Sequence, residues 1–193
     1  QAIRDNVVRC LRNFHRLPLL VDIKATPVER WVLIEDINAF DFEGIRVFAA
    51  PDFGYWSTAD RLQLVDWETG GGGGDASLQL AGYALYALEV LRVDPSRVDL
   101  HEVNLREGKA TTHPWDAGAL DRVREHIRFS ARGMKAYLRD PARNLADEAD
   151  FERAEDLRIC RWCNFRGVCR PELPPFGPPE LAPVESSAQE ARG

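Results

Sequence analysis

The run Leu62-Gln63-Leu64-Val65 ends in Asp66-Trp67-Glu68-Thr69-Gly70. After five consecutive glycines at 70–74 comes a segment that is apolar on nearly every side. Few folds accept that order. So apolar a run predicts a central strand, over 62–67. Leu78, Leu80, Ala81, Tyr83, Ala84, Leu85, Ala87, Leu88 and Leu91 predict a helix, capped by Asp75 or Ser77 and running to about Leu91, that is buried against the sheet. The strand thus carries its acids to the edge of a covered layer. Fourteen residues before Asp66, a second acid, Asp52, ends Ala49-Ala50-Pro51-Asp52. Two acids at the ends of neighbouring strands can share one divalent cation, which is the usual start of metal-assisted phosphodiester chemistry.

The other elements follow from periodicity and punctuation. Residues 3–16 predict an amphipathic helix with Val7, Cys10, Leu11 and Phe14 on one face. Pro18 ends it, and Pro27 punctuates the loop that follows. Residues 31–34 start a strand running on towards Phe40. A hairpin turn at 41–44 leads into a second strand at 45–50, and residues 54–60 read as another turn. Residues 98–105 predict a fourth strand, and 117–139 a long helix with an exposed charged face. The order is helix, three strands, buried helix, strand, helix. It is not the regular βαβα alternation of a dinucleotide fold. The glycine run has no side chains to pack and reads as a mobile loop beside the acids. A phosphate cradle is the sharper alternative, but no Lys-Ser or Lys-Thr follows, as a P-loop requires.

Size and charge bound the partners. A chain of 193 residues, 45% apolar, suits one compact α/β domain with an appendage. The net charge of −6 excludes a uniformly basic DNA-coating protein but leaves room for a local basic groove. No apolar run approaches the roughly 20 residues that span a bilayer, and no signal peptide is visible, so no membrane association and a cytoplasmic location are expected. The chain starts at Gln1, without Met, and enters a helical stripe with no obvious cap. Part of a longer protein is the expectation, with a processed start as the alternative.

Cys160-Arg161-Trp162-Cys163-Asn164-Phe165-Arg166-Gly167-Val168-Cys169 is a C-x2-C-x5-C knuckle. Short loops that turn three thiolates inward can hold a soft metal centre, either an iron–sulfur cluster or Zn²⁺. Free or disulfide-bonded cysteines are the alternative. A fourth ligand would be needed. Cys10 is the only other cysteine, and a small buried hydrophobe is its alternative role. Arg158, Arg161, Arg166 and Arg170 interleave with Trp162 and Phe165. That mixture suits a nucleic-acid backbone and unstacked bases, or else aromatic packing over the metal with solvated arginines. His101, His113 and His126 share no metal-ligand spacing and read as ordinary surface or strand histidines. The acids from Asp140 to Glu155 read as a solvated stretch.

Taken together, Ala49-Ala50-Pro51-Asp52, Val65-Asp66-Trp67-Glu68-Thr69-Gly70, Gln79-Leu80-Ala81-Gly82-Tyr83 and the cysteine knuckle resemble the PD-(D/E)XK nuclease superfamily. The nearest branch is RecB-like, with C-terminal iron–sulfur cysteines, as in AddB-type helicase–nucleases and the nucleases of CRISPR adaptation. The similarity covers about residues 30–170. It implies a restriction-endonuclease-like α/β core, a mixed central sheet flanked by helices, over 1–156. The cysteine knuckle would follow at 157–170, and a disordered Pro-rich tail at 171–193. It implies a metal-dependent DNA nuclease of repair or defence, acting on single-stranded DNA and associated with a helicase or other DNA-processing protein. Asp52 and Asp66 resemble ligands of Mg²⁺ or Mn²⁺, with the Trp67 carbonyl as a further ligand. Gln79 and Tyr83, one helical turn apart, resemble the Gln-x3-Tyr element that orients DNA and supports the site. Cys160, Cys163 and Cys169 resemble 4Fe-4S ligands, with Cys10 a candidate fourth and Zn²⁺ the alternative occupant. Arg161, Arg166 and Arg170 are the nucleic-acid-binding candidates.

Two departures bear on activity. Where the family has a lysine, this chain has Glu68. Residues i and i+2 of a strand share a face about 7 Å apart, where each charge pair is worth roughly 2 kcal/mol at an effective dielectric of about 20. Lys to Glu is then a swing on the order of 5 kcal/mol against a phosphate, over a thousandfold in rate if it falls wholly on the transition state. A metal bound by Asp52, Asp66 and Glu68 would offset part of it. The alternative is a catalytically inactive nuclease-like module that binds DNA or protein. The family's upstream motif-one residue also has no clear counterpart. Glu35 is the best acid ahead of Asp52, with an exposed strand carboxylate as its plainer reading.

Overall fold

The computed structural model describes residues 2–35, 37–70, 76–113, 116–160 and 163–173. Gly71 to Asp75, Arg161, Trp162 and the tail beyond 173 lie outside the described residues. The chain divides into two compact units, 1–136 and 137–193.

The first unit is built on a five-stranded sheet. It opens with helices α1 (Ala2–Phe14) and α2 (Pro18–Ala25) and strand β1 (Trp31–Ile34). The hairpin β2 (Asn38–Phe42) and β3 (Ile45–Ala49) follows, then β4 (Phe53–Trp56) and β5 (Leu62–Glu68). Helix α3 (Ser77–Glu89), strands β6 (Val98–Asn104) and β7 (Lys109–His113), and α4 (Ala117–Ala136) complete it. The sheet order is β1-β4-β5-β6-β7. Only β5 and β6 run parallel, joined through α3, and the other neighbours are antiparallel. The mixed sheet flanked by helices is the architecture expected of a restriction-endonuclease-like core.

Each face of the sheet has its own core. Leu33, Leu62, Leu64 and Leu100 point one way and pack with Leu80, Ala84 and Leu85 of α3 and Leu120 and Val123 of α4. Phe53, Tyr55, Val65 and Val103 point the other way, onto Leu19, Leu20 and Ile23 of α2. β5 is therefore covered on both sides, and Leu62, Leu64 and Val65 are fully buried. Beside the apolar residues of the second face lies a closed polar network. The Gln63 amide donates to Ser57 Oγ at 3.0 Å and to Asp99 Oδ2 at 2.7 Å. His101 Nε2 lies 2.7 Å from Gln63 Oε1, and its Nδ1 lies 3.0 Å from Thr112 Oγ1. His101 is thus a buried structural histidine rather than a surface one. Burial pushes its pKa down, so the neutral ring is the stable form.

Several sequence expectations are corrected here. Pro18 does not introduce a loop: it sits at the first turn of α2, where a missing N–H costs nothing and buried Leu19, Leu20 and Ile23 hold the helix down. The strand from Trp31 does not run on to Phe40. It stops at Ile34, Glu35 takes a left-handed φ of 49°, and β2 pairs with β3 in a separate two-stranded sheet. That hairpin closes through Glu43 and Gly44, both with positive φ, the twist-compatible two-residue turn. Residues 53–56 form strand β4 and not a turn. The periodicity is hidden because Phe53, Gly54 and Tyr55 are all buried. Ser77 is the first residue of α3 rather than its cap, and Leu78 is partly exposed. On α1, Cys10 is buried, whereas Val7 and Leu11 are exposed.

The second unit holds β8 (Leu138–Asp140), β9 (Leu145–Ala146) and the short helices α5 (Leu157–Cys160) and α6 (Arg166–Cys169). Arg139 pairs with Asp147 and Asp150, so part of the acidic stretch is engaged rather than merely solvated. Among the described residues no helix is long and apolar enough to cross a membrane.

Gly54 lies where three strands meet. A Cβ there would sit 3.0 Å from Leu64 Cδ2 and 3.2 Å from Leu33 Cδ1, both side chains buried in the core. Gly54→Ala is expected to destabilise the fold by about 1–3 kcal/mol through overpacking, read from thermal or denaturant unfolding. An unchanged midpoint would mean that this layer is looser than described.

Candidate functional site

The site forms because β4 and β5 are antiparallel. Phe53 pairs with Val65, and the register carried one step further sets Asp52 opposite Asp66. Residues directly opposite share a face, with Cβ atoms about 4.5–5.5 Å apart. Asp52 is held in place by the chain after Asp66: its Oδ2 accepts from the Trp67 N–H at 2.7 Å. Its own carbonyl accepts from the Glu35 N–H at 2.8 Å, which brings the end of β1 to the site. Asp52 therefore lies at the start of β4, not at the end of β3 as the sequence suggested. β3 belongs to the separate hairpin.

Asp66 is gripped by α3. Tyr83 Oη donates to its Oδ1 at 2.8 Å, and Gln79 Nε2 donates to the same oxygen at 2.8 Å. Gln79 also donates to Tyr83 Oη at 2.9 Å, so the three groups close a ring. Tyr83 Oη lies 3.2 Å from the carbonyl oxygen of Ala50, two residues before Asp52. One tyrosine thus joins α3, β5 and the approach to β4. Burial and the neighbouring carboxylates push its pKa up, so it remains a donor. The helix residues reach Asp66 because they are spaced by four on one side of α3, with Tyr83 buried and Gln79 in the exposed first turn.

Among the described residues, the other oxygen of Asp66, Oδ2, is buried and accepts no hydrogen bond, although the Glu68 carboxyl acts on Asp66 at close range. Asp66 is only 4% exposed. Such an acceptor costs the fold about 1–3 kcal/mol, more when charged. Burial raises the pKa of Asp66, and the like charges of Glu68 and Glu102 raise it further, against the Tyr83 hydrogen bond. Burial likewise raises the pKa of Asp52, followed by the charges of Asp66 and Glu35, against the Trp67 N–H. Among the described residues, the charges that shift the pair are all of its own sign.

Glu102 was not singled out in the sequence. The parallel register places it beside Asp66, and its carboxylate pairs with His113 at 3.1 Å. Its alternation with Leu100 and Asn104 was visible, but its neighbour was not, because parallel registers leave no local mark. Glu68 lies on the same face and is half-buried. Its carbonyl accepts from the Leu105 N–H at 2.7 Å.

The donor set of Asp52, Asp66 and the Trp67 carbonyl is all oxygen, the kind that suits a hard divalent cation. Mg²⁺ typically takes one or two carboxylates and keeps several waters. The unpartnered Oδ2 is the atom such an ion would satisfy. Among the described residues, no three His, Cys, Asp or Glu side chains are already gathered in a metal-ligand arrangement. The same holds for the knuckle. Cys160 is buried and Cys163 and Cys169 are half-buried, all as free thiols in the second unit. Cys10 is a buried free thiol of the first unit. Arg170 turns inward, donating to the Ala154 carbonyl at 2.9 Å and lying near Glu172. Arg166 is half-buried. Phe165 is largely exposed.

The raised carboxyl pKa values have a definite sign. A group protonated more readily in the folded state stabilises the fold at low pH, and that contribution disappears as pH rises through the folded pKa. Asp66→Asn is therefore expected to raise the stability of the metal-free protein at pH 7 by about 1–3 kcal/mol. It should also flatten the decline of stability between mildly acidic and neutral pH. Melting curves of both proteins in chelator across that range check this; a less stable variant at pH 7 would mean that the carboxylate is satisfied.

The model of one family, the PD-(D/E)XK nuclease superfamily, matches residues 11–170. Searches among curated proteins and among solved structures gave no match. The match spans most of the 193 residues and includes the paired aspartates, the α3 glutamine and tyrosine, and the three knuckle cysteines, while Cys10 lies just outside it. The chain belongs to the PD-(D/E)XK nuclease superfamily.

Proposed function

We propose that this protein is a metal-dependent deoxyribonuclease acting on single-stranded DNA, in DNA repair or defence. The observation that carries the proposal is Asp66 Oδ2, a buried, unpartnered carboxylate oxygen among charges of its own sign. A fold tolerates that where a cation completes it. Asp52 and Asp66 would hold Mg²⁺ or Mn²⁺, with the Trp67 carbonyl as a third oxygen. The chemistry such an ion supplies when bound is neutralisation of the scissile phosphate and a water acidic enough to attack it. Gln79 and Tyr83 fix Asp66 in one rotamer and leave one oxygen for the ion. Buried Tyr83 and the hydrogen bonds that tie Gln79 to it and to Asp66 would preorganise the site before substrate arrives. Cytoplasmic action beside a helicase or other DNA-processing protein, and the RecB-like branch, belong to the same proposal.

The cysteines of the 157–170 knuckle carry its second half. Cys160, Cys163 and Cys169 would ligate a 4Fe-4S cluster, with Cys10 or another thiol as fourth ligand. The donor set is soft and no disulfide consumes it. Arg161, Arg166 and Arg170 would follow the DNA backbone nearby. Anaerobically purified protein is expected to be brown and to contain iron and acid-labile sulfide. Zinc without iron would replace the cluster with Zn²⁺.

Glu68 favours a second reading, an inactive nuclease-like module that still binds DNA or a partner protein. Its carboxylate stands where a phosphate-attracting lysine is expected and adds to the like charge on Asp66. The two readings part on one experiment. Degradation of labelled single-stranded DNA is measured with Mg²⁺ or Mn²⁺, in the unaltered chain, Asp66→Ala and Glu68→Lys. The active reading expects cleavage lost by at least about a hundredfold in Asp66→Ala, as for removal of one key electrostatic group. The inactive reading expects cleavage only in Glu68→Lys. Equal residual cleavage in Asp66→Ala would remove Asp66 from the mechanism.

A further inference from the structure

We infer that one side of α1 is a binding track for the phosphate backbone of the substrate strand, continuous with the acidic site around the ends of β5 and β6. The inference rests on the nuclease reading and adds to it where the strand runs. An open groove along α1 is lined by Arg4, Val8, Arg9, Arg12, Asn13 and Arg16, with Asp5 as the only acid on it. The arginines recur at near-helical spacing and are all exposed. From Arg4 to Arg16 is roughly 18 Å at helical rise.

Five arginines of the first unit are neutralised by carboxylates, whereas the four of the stripe are gathered unpaired along one groove. Arg61 pairs with Asp99, Arg97 with Asp60, Arg122 with Asp116, Arg124 with Asp121 and Arg128 with Glu43 and Glu125. Among the described residues, Arg4, Arg9, Arg12 and Arg16 make no ion pair and no side-chain hydrogen bond. In a chain of net charge −6, four unpaired guanidiniums on one helix side form a local positive field that needs an external anion. Guanidinium is the group best shaped for phosphate oxygens.

The stripe is tied to the site by two contacts. Asn13 Nδ2 donates to the carbonyl oxygens of Leu105 at 2.8 Å and Arg106 at 3.2 Å, in the turn after β6. Leu105 in turn donates its N–H to the Glu68 carbonyl. The Phe14 ring meets Trp67 edge-on, with centroids 5.4 Å apart, on the face of β5 opposite Asp66 and Glu68, so α1 reaches the carboxylates around the strand end and not across the same face. Arg106, whose carbonyl Asn13 holds, is exposed in that turn and adds a further cation beside the strand ends. The acidic centre by itself repels a polyanion. The stripe supplies attraction one step away, where the chain lacks the usual lysine.

The test uses a fluorescein-labelled oligothymidylate of about 16 nucleotides, with Asp66→Asn present throughout so that nothing is cut. Anisotropy is followed against salt. Each phosphate contact contributes about 0.7 to the slope of log affinity against log salt for single strands. Replacing Arg4, Arg9, Arg12 and Arg16 by Ala should lower that slope by about 2–3 and weaken binding at least about tenfold at 0.1 M salt. Replacing all four by Lys should keep most of the slope. Arg92→Ala with Arg132→Ala, two exposed arginines of the first unit outside the groove, should change it by less than about half that amount. An unchanged slope in the Ala variant overturns the inference, as does an equal loss in the control pair. On the unsubstituted arginines, the oligonucleotide should shield Arg9, Arg12 and Arg16 from phenylglyoxal, and full modification in its presence also overturns it. With Asp66 restored, the Ala variant should lose more activity on the oligonucleotide than on bis(p-nitrophenyl) phosphate, which cannot reach the stripe. Equal loss on both overturns the track while leaving the nuclease reading in place. No hydrolysis of either by any variant, with the slope change intact, removes the nuclease reading and leaves a nucleic-acid-binding helix.

Discussion

The carboxylate of Asp66 is held by one oxygen and left open at the other. Tyr83 and Gln79 share Oδ1, and among the described residues no donor reaches Oδ2. The rest of the first unit can be understood as what makes that arrangement tolerable. α3 is buried on most of its circumference, so Tyr83 cannot swing away, while Gln79, in the exposed first turn, is held by its hydrogen bonds to Asp66 and Tyr83. β5 is covered on both faces, so Asp66 cannot turn to water. The Trp67 N–H fixes Asp52 against the same point. A carboxylate trapped this way has its charge opposed by burial and by its neighbours. Its surroundings are completed only by a positive charge delivered from outside.

The two faces of the sheet contrast in this respect. On one, Gln63, His101, Asp99, Thr112 and Ser57 satisfy one another completely, and Arg61 closes the network with a bidentate grip on Asp99. On the other, Asp52, Asp66 and Glu102 follow across three adjacent strands with no basic residue acting on the aspartates. A satisfied polar network rigidifies, while an unsatisfied one marks where a fold spends stability on function. The same sheet does both, and the rigid half backs the reactive one. A groove of unpaired arginines runs along α1, so the −6 net charge describes the chain without describing its surface.

What could be read from the sequence was whatever depends on local pattern. The apolar run of β5, the all-round apolar α3 and the paired aspartates carry their signals within a few residues, and the family motifs lie on them. What depends on distant pairing was hidden. β4 was missed because its residues are buried on both sides and glycine interrupts them. The β2–β3 hairpin read as part of the main sheet, since a strand does not announce its partner. Glu102 was passed over because its place beside Asp66 comes from a parallel register joined through a helix. Pro18 was taken as a stop, although the same fixed φ also starts helices. Glu68 was legible as an anomaly from the outset, and the acids around it make that anomaly sharper.

The open oxygen of Asp66 also has a consequence for the life of the chain before it meets any nucleic acid. A ligand that binds only the native form stabilises it by mass action, about 2.7 kcal/mol at a hundredfold excess over its dissociation constant. A domain of this size is typically stable by only about 5–15 kcal/mol. Where a divalent ion rests on that oxygen, chelation would remove a sizeable part of the margin. The protein's abundance, and not only its turnover, would then follow the supply of free magnesium or manganese around it.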